Sequence, residues 1–312
     1  MLKCAVFGSI NMDMVVKVDR FPEPGESRRG RSFQIVPGGK GGNQAVALGR
    51  LGADVMMAGC VGDDEFSAGY LANFSANGVK ADAVARIPDC TTGTALIEVN
   101  DEGENHIVVV PGANLRCDGA WLEQALALTA DRDIFLFQLE ITHESDFEAI
   151  RRVHAAGKTV ILDPAPAAYI PDDVLACVDY ITPNETELRL ITDDLPKSAD
   201  TDTRMRRLKE KGVGVVIAKS GSDGAYVLCG EEKFHVPCFP VKAEDTTAAG
   251  DTFNAGFARA LASGAALRDA IVFANAAAGI SVTKMGAQGG MPDLRTVYDF
   301  LEERGYHEFH LS

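Results

Sequence analysis

Four short runs of almost unbroken apolar residues constrain this chain most: DIFLFQL at 133–139, TVILD at 159–163, VDYIT at 178–182 and VGVVIA at 213–218. A strand with one wet face alternates polar and apolar residues, whereas a strand buried on both faces has no need to. The four runs therefore read as interior strands of a parallel sheet, and parallel neighbours require a crossover between them. Helical patterns stand where crossovers are needed, at 118–130, 144–156, 185–192 and 201–211. This alternation predicts an α/β fold: three α/β/α layers around a mostly parallel central sheet. CAVF at 4–7 adds another buried strand. The last third is helical, at 250–262 with Gly264 as its stop, then 267–284 and 292–304.

A second class of strand looks different. VVKVDRF (15–21) alternates in part, and TALIEV (94–99) and HIVVV (106–110) flank the turn formers NDEGEN, which predicts a hairpin. These pieces imply a small β-sheet lid built from about 12–35 and 90–112. The 312 residues then form one domain, 1–312, carrying that lid.

Charge narrows the partners. Thirty Lys and Arg against 45 Asp and Glu leave −15, which argues against nucleic acid and anionic membrane. A polyphosphate ligand must then be met by local devices. Seven cysteines without a CxxC read as reduced thiols. MLKCAVFGSINMD turns polar too soon for a signal peptide, and no apolar run approaches membrane-spanning length. A soluble cytoplasmic protein is expected.

Chemistry concentrates in a few segments. In EDTTAAGDTFNAGFARAL (244–261), Ala248, Ala249 and Gly250 precede or open an amphipathic helix. The first amides of a helix lack internal partners and form its positive end, and small residues let an anion approach them. Asp251 in that cradle is either a base for an attacking hydroxyl or a first-turn acid that favours the helix dipole. In PGGKGGNQAVALGRLG (37–52), four glycines surround Lys40, and Asn43 opens a helix closed by Gly52. GK followed by Gly41 is not a P-loop, and no GxGxxG occurs here. Ligand contact explains four glycines better than a tight turn with an N-cap Asn does. In DYITPNETEL (179–188), Asn184 and Glu187 could hold a hydrated magnesium and its phosphate, although helix capping is the stronger local reading. AKSGSDGAYV (218–227) is a hairpin signal, and KMGAQGG (284–290) is a loop whose carbonyls could bind a cation.

Taken together and in order, GSINMD (8–13), PGGKGGNQA (37–45), PNETE (183–187) and DTTAAGDTFNAG (245–256) resemble the ribokinase, or PfkB, family of carbohydrate kinases through nearly the whole chain. The resemblance implies transfer of the γ-phosphate of ATP to a sugar hydroxyl. It makes Asp251 the base and the amides around Ala248, Ala249, Gly250 and Asp251 an anion hole. It assigns Asn184 and Glu187 to Mg2+ and phosphate. It places the sugar against Asn11, Asp13, Gly39, Lys40, Gly41, Gly42, Asn43 and Glu140. It places the nucleotide against Lys219, Ser220, Gly221, Ser222, Asp223, Gly224, Gly250 and Asn275. It also implies an activating K+ near Asp245, Thr247, Ser281, Lys284, Gly286 and Gly290, bound mostly by backbone oxygens.

GSINMD, Glu140, PGAN (111–114), DPAPA (163–167) and KMGAQ (284–288) are most similar to members that act on D-ribose, giving D-ribose 5-phosphate. The chain departs from that pattern in two places: Lys219 and Ser220 stand where a Thr is frequent, and Gly42 where Ala is common. Other members use deoxyribose, ketoses, 2-keto-3-deoxy sugar acids or nucleosides. A sugar acid would call on Lys40 or on Arg28, Arg29 and Arg31 of the lid. A sugar-binding regulator without turnover is opposed by the intact Asp251 segment. The exposed strand edges of the lid suggest a homodimer through it.

Overall fold

The apolar runs become neighbouring strands in the computed structural model, which describes residues 1–306 and 311. In chain order, β1 (Cys4–Phe7) leads to two lid strands, β2 (Asn11–Lys17) and β3 (Ser32–Gly38), and then to α1 (Lys40–Arg50). Next come β4 (Val55–Gly62), α2 (Glu65–Ala76) and β5 (Val79–Ile87), followed by the lid strands β6 (Gly93–Val99) and β7 (Asn105–Val110). The chain continues through α3 (Gly119–Leu128), β8 (Ile134–Phe137), α4 (His143–Ala155), β9 (Thr159–Leu162), α5 (Asp172–Leu175) and β10 (Tyr180–Ile181). It ends through α6 (Glu185–Ile191), α7 (Thr201–Glu210), β11 (Val215–Lys219), β12 (Ala225–Cys229), β13 (Glu232–Val236), α8 (Ala249–Ala262), α9 (Leu267–Ser281) and α10 (Leu294–Glu302).

Among the described residues one sheet has nine strands in the order β13-β12-β11-β10-β9-β8-β1-β4-β5. Its seven strands from β11 to β5 are parallel, and β12 and β13 close one edge antiparallel. β1 is alternately buried against two cores. Cys4 and Val6 join a cluster with Leu48, Tyr70, Phe257 and Phe273 from α1, α2, α8 and α9. Ala5 and Phe7 join another with Trp121, Ile150, Leu188 and Met205 from α3, α4, α6 and α7. Both faces of the sheet are thus dry, which is why its strands read as unbroken apolar runs. The chain leaves β1 to build β4 on one side and returns to build β8 on the other. That reversal opens a crevice beyond the carboxyl ends of the strands. Here Gly8 meets the start of α1: a Cβ on it would lie 2.9 Å from Gly41 Cα.

The lid is a separate four-stranded sheet, β3-β2-β6-β7. β2 pairs parallel with β6, and the other pairs are antiparallel. Pro37 lies on the edge strand β3, where a missing N–H is harmless. The register aligns Ile35, Met14, Leu96 and Val108 in one row across all four strands. Ile35, Leu96 and Val108 are exposed in that row, and Phe33 and Val110 extend the apolar patch on the flanking rows.

Several predicted boundaries need correction. The strand expected at 15–21 is Asn11–Lys17. Residues 18–31 instead form a loop tied by Arg28 to Asp19 and Glu26. The helix expected over 267–284 ends at Ser281. The unit β4–α2–β5 was not anticipated. Its edge strand VKADAVARI alternates, and its inner strand VMMAGCVG is diluted by small residues.

Candidate active site

A cavity of about 300 Å³ opens at the carboxyl ends of β9 and β11, against the start of α8. Asp251, Gly250, Ala249 and Ala248 line it, together with Lys40, Asp163, Asn184, Glu187, Lys219, Gly221, Gly224 and Asn275. The segments at 37–52, 179–188, 218–227 and 244–261, far apart in sequence, therefore meet in one place.

The mouth of α8 is unusual. Ala248, its N-cap, adopts a left-handed conformation with φ 59° and ψ 17°. A non-glycine residue holds that geometry at a cost of about 1 kcal/mol or more, and such strain clusters at functional sites. The bend aims the first turn of α8 at the cavity. One element of the expected anion hole differs: the Ala249 N–H donates back to Thr246 O at 3.2 Å. The helix-heading amides of Gly250 and Asp251 remain at the positive end of the helix.

Asp251 is buried. Its Oδ2 accepts from Asn43 Nδ2 at 3.0 Å and its Oδ1 from Gln44 Nε2 at 3.2 Å. Burial pushes its carboxyl up to about 6, and Asp163 adds to this, while Lys40, Asn43 and Gln44 oppose it. Asn43 is not an N-cap, the weaker of the two readings its turn allowed. Gly39, at φ 82°, caps α1, and the Asn43 amide bonds to Gly39 O inside the first turn. Glycine is required at 39, because a Cβ there would lie 2.7 Å from the Asn11 amide. The Asn43 side chain is thereby free to face Asp251.

The other expected sugar contacts surround this turn. Glu140 accepts from Ser9 Oγ at 2.5 Å and from the Lys40 N–H at 3.1 Å. Asn11 Oδ1 accepts from Asn114 Nδ2 at 2.7 Å. Asp13, at the root of the lid, is pushed up to about 7 by burial, then by Glu140 and Asp251. Burial pulls the Lys40 ammonium down, but Asp251, Asp163 and Glu140 together hold it above the ordinary lysine value.

Asn184 and Glu187 form a complete capping box for α6: the Glu187 N–H donates to Asn184 Oδ1 and the Asn184 N–H to Glu187 Oε2, each at 2.8 Å. The capping reading thus describes their bonds, yet both side chains also line the cavity. Burial raises the Glu187 carboxyl, as does Asp163, against Lys219 and Lys40. In the 219–224 turn, Lys219, Gly221 and Gly224 face the cavity. Ser220 is turned to Glu185, Asp223 accepts from the Tyr226 hydroxyl, and Ser222 does not line the cavity. The Asn275 amide donates to the carbonyls of Val236 and Pro237, both at 3.2 Å, at the cavity wall.

The expected cation loop lies behind the α8 turn. Asp245 accepts from Thr247 through Oδ1 and from the Gly286 N–H through Oδ2 at 2.8 Å. A Cβ at Gly290 would lie 2.1 Å from Ser281 O and 3.4 Å from Lys284 O, so these carbonyls converge there. Among the described residues, no group of three or more His, Cys, Asp or Glu is set to hold a metal ion, and no helix is long and apolar enough to cross a membrane.

Sequence reasoning missed the residues that tie these parts together. Asp163, 3% exposed, pairs with Lys219 Nζ at 2.9 Å. Gln44 donates to both Asp163 and Asp251. The available signal for Asp163 was its place directly after a buried strand, where ligand crevices of such sheets open. Thr246 and Cys238 also line the cavity.

A family model described as pfkB family carbohydrate kinase matches residues 1–294. The chain is 42% identical over 301 residues to the ribokinase of Bacillus subtilis (strain 168), covering 96% of this chain and 100% of that protein. Its fold superposes on the crystal structure of a ribokinase from Thermotoga maritima with a TM-score of 0.91 and 38% identity, covering 97% and 100% of the two chains. A ribokinase of Arabidopsis thaliana complexed with ribose and ATP gives a TM-score of 0.88 and 32% identity, covering 96% and 99%.

Proposed function

From its membership of the pfkB family of carbohydrate kinases, we propose that this chain transfers the γ-phosphate of ATP to the 5-hydroxyl of D-ribose, with Asp251 as the base. It is an ATP-dependent phosphotransferase acting on a sugar hydroxyl. One observation carries the reading of the site: Asp251 stands at the head of α8 and is hydrogen-bonded at 3.0 Å to Asn43 of the glycine-rich turn. Base, phosphoryl cradle and sugar turn therefore form one constellation.

Positioning and charge stabilisation supply most of the catalysis in phosphoryl transfer. The sugar lies under the lid against Asn11, Asp13, Glu140 and the Gly39–Asn43 turn. Asp251, kept ionisable near neutrality, takes the hydroxyl proton as the bond to phosphorus forms. The amides of Gly250 and Asp251 meet the charge on the equatorial oxygens. Lys40 and Lys219 line the same cavity and supply positive charge that the overall −15 cannot. Asn184 and Glu187 would hold hydrated Mg2+, which would neutralise charge on the phosphates of a bound nucleotide. The converging carbonyls at Gly290 and the Asp245 carboxylate suit K+, which would stiffen the turn leading into α8. Gly221, Gly224 and Asn275 line the base end of the nucleotide site.

The lid supports two further parts of the proposal. Its apolar row of Ile35, Met14, Leu96 and Val108 is suited to pair with a second copy, giving a homodimer. Two of its three arginines oppose a sugar-acid substrate: Arg28 is committed to Asp19 and Glu26, and Arg31 to Asp101. We read residues 1–312 as one kinase domain bearing that lid, working in the cytoplasm on small molecules rather than nucleic acid or membrane.

The deciding experiment measures ADP release with MgATP and K+ over D-ribose, 2-deoxyribose, fructose, 2-keto-3-deoxygluconate and nucleosides. A clear preference for ribose supports the assignment. Preference for another acceptor overturns the substrate, and no turnover with any acceptor returns the sugar-binding regulator.

A further inference from the structure

Gln44 is fully buried, in the first turns of α1. Its single amide nitrogen donates to Asp163 Oδ2 at 3.1 Å and to Asp251 Oδ1 at 3.2 Å. A primary amide has two N–H bonds, so one nitrogen can serve two carboxylates at once. Its oxygen is fixed as well, because Gln138 Nε2 donates to Gln44 Oε1 at 2.8 Å. That bond leaves the nitrogen end of Gln44 facing the two acids. Gln138 packs against the tip of β1, where a Cβ at Gly8 would lie 2.0 Å from its Oε1, and among the described residues that oxygen has no hydrogen-bond partner. A hydrogen-bond chain thus runs from Gln138 through Gln44 to the carboxylate at the head of α8.

We propose that Gln44 is a positioning residue for phosphoryl transfer, clamping the Asp251 carboxylate in its reactive orientation and tying it to the Asp163–Lys219 pair across the phosphoryl site. Asn43 holds one oxygen of Asp251 and Gln44 the other, so the carboxylate plane cannot turn about its bond to the chain. The lone pairs not used by these two donors are the ones left to receive the sugar proton. The clamp also spaces two carboxylates that would repel each other if one turned. Asp163 is in turn balanced by Lys219, whose Nζ lies 3.4 Å from where a Cβ on Gly250 would stand, beside the helix-heading amides. The inference rests on the reading of Asp251 as base.

Other charged and titratable groups face Asp251 from the elements around it: Lys40 on α1, Asp163 after β9, Asp13 on the lid strand β2 and Tyr70 on α2. All of them remain in a Gln44→Met variant, so any change in the pH profile reports the lost donor. A hydrogen bond to the ionised form favours it. Its loss therefore makes Asp251 harder to ionise.

The test compares pH profiles of kcat/KM for wild type, Gln44→Met, the isosteric Gln44→Glu and Asp251→Asn, with thermal melts to establish folding. For Gln44→Met, the acid limb moves up by about one pH unit. Its kcat falls about 10²-fold, while the sugar KM changes far less. Gln44→Glu keeps the shape, replaces the donor with a carboxylate, and moves the limb upward too, which covers the case of Gln44→Met failing to fold. A folded variant with the wild-type limb would show that Gln44 merely fills space, and would overturn the proposal. If Asp251→Asn retains full activity, the base assignment itself fails. If Asp251→Asn is inactive and the Gln44 profiles are those of wild type, only the positioning role fails.

Discussion

Asn43 Nδ2 and Asp251 Oδ2 lie 3.0 Å apart across 208 residues of chain. The bond joins the first turn of α1 to the first turn of α8, so the sugar turn and the base are held together without an intermediary. Asp251→Asn keeps the size of the side chain and one oxygen to accept from Asn43, while its amide nitrogen faces the Gln44 donor, so the loss falls on the Gln44 side rather than on the sugar turn. Asp251→Asn is therefore expected to lower kcat by about 10²–10⁴-fold while calorimetry finds sugar binding nearly intact. Full activity in that variant would remove Asp251 from the mechanism.

Activity should fall as the medium is acidified. The base must be ionised to accept a proton, and burial with Asp163 holds Asp251 up to about 6. The acid limb of kcat/KM is expected near that pH, with activity present above it and lost below. Lys40 is the main group opposing the shift, so Lys40→Met should carry the limb to higher pH. Asp13, held up to about 7, adds a second inflection that Asp13→Asn removes. A flat profile between pH 5 and 8 would contradict both assignments.

Lys219→Met should strand a carboxylate. Asp163 is almost wholly buried and pairs with Lys219 at 2.9 Å. Removing one partner of a buried pair costs about 3–5 kcal/mol, read by urea denaturation, and ATP affinity should drop as well. Adding Asp163→Asn should recover most of the stability without recovering the affinity. Equal losses in the single and double variants would show that the pair is not coupled.

The lid proposal is tested by charge. Leu96 and Val108 are register partners on the exposed apolar row. In sedimentation equilibrium the wild type should run as a dimer and the Leu96→Lys, Val108→Lys variant as a monomer. An unchanged mass would place any dimer contact elsewhere.

Asp146 offers a prediction about stability alone. It is fully buried on α4, and among the described residues neither carboxylate oxygen has a hydrogen-bond partner. Burial pushes its carboxyl well above the ordinary value. The folded chain keeps a proton there that the unfolded chain releases above about pH 4. Stability is thus fully present below that pH and falls as pH rises toward the folded-state value, by at most about 1.4 kcal/mol per unit. Asp146→Asn should flatten this slope between pH 5 and 8 in denaturant titrations, and an unchanged slope would assign the pH dependence to other groups.

The central sheet was legible because strands buried on both faces need no polar residues. That condition holds for β8, β9 and β11 and fails for the exposed edge strand β5. The glycine-rich turn and the α8 mouth were legible because their chemistry is local. Gln44 and Asp163 were not. Their meaning lies in contacts across 119 and 207 residues, and a lone Gln in an apolar helix carries no local mark of the acids it will face. The lid arginines were partly legible: Arg28 pairs with Asp19 and Glu26 close in sequence, whereas Arg31 pairs with Asp101, 70 residues away.

Synthesis runs from the amino end, and α8 is among the last elements to emerge. With Asp251 as the proposed base, a growing chain that already displays the 37–52 turn, the lid and most of the sheet still lacks the group that would deprotonate a sugar. Phosphoryl transfer is thus among the last properties the chain acquires. Fragments that stop before α8 should then be unable to phosphorylate a sugar.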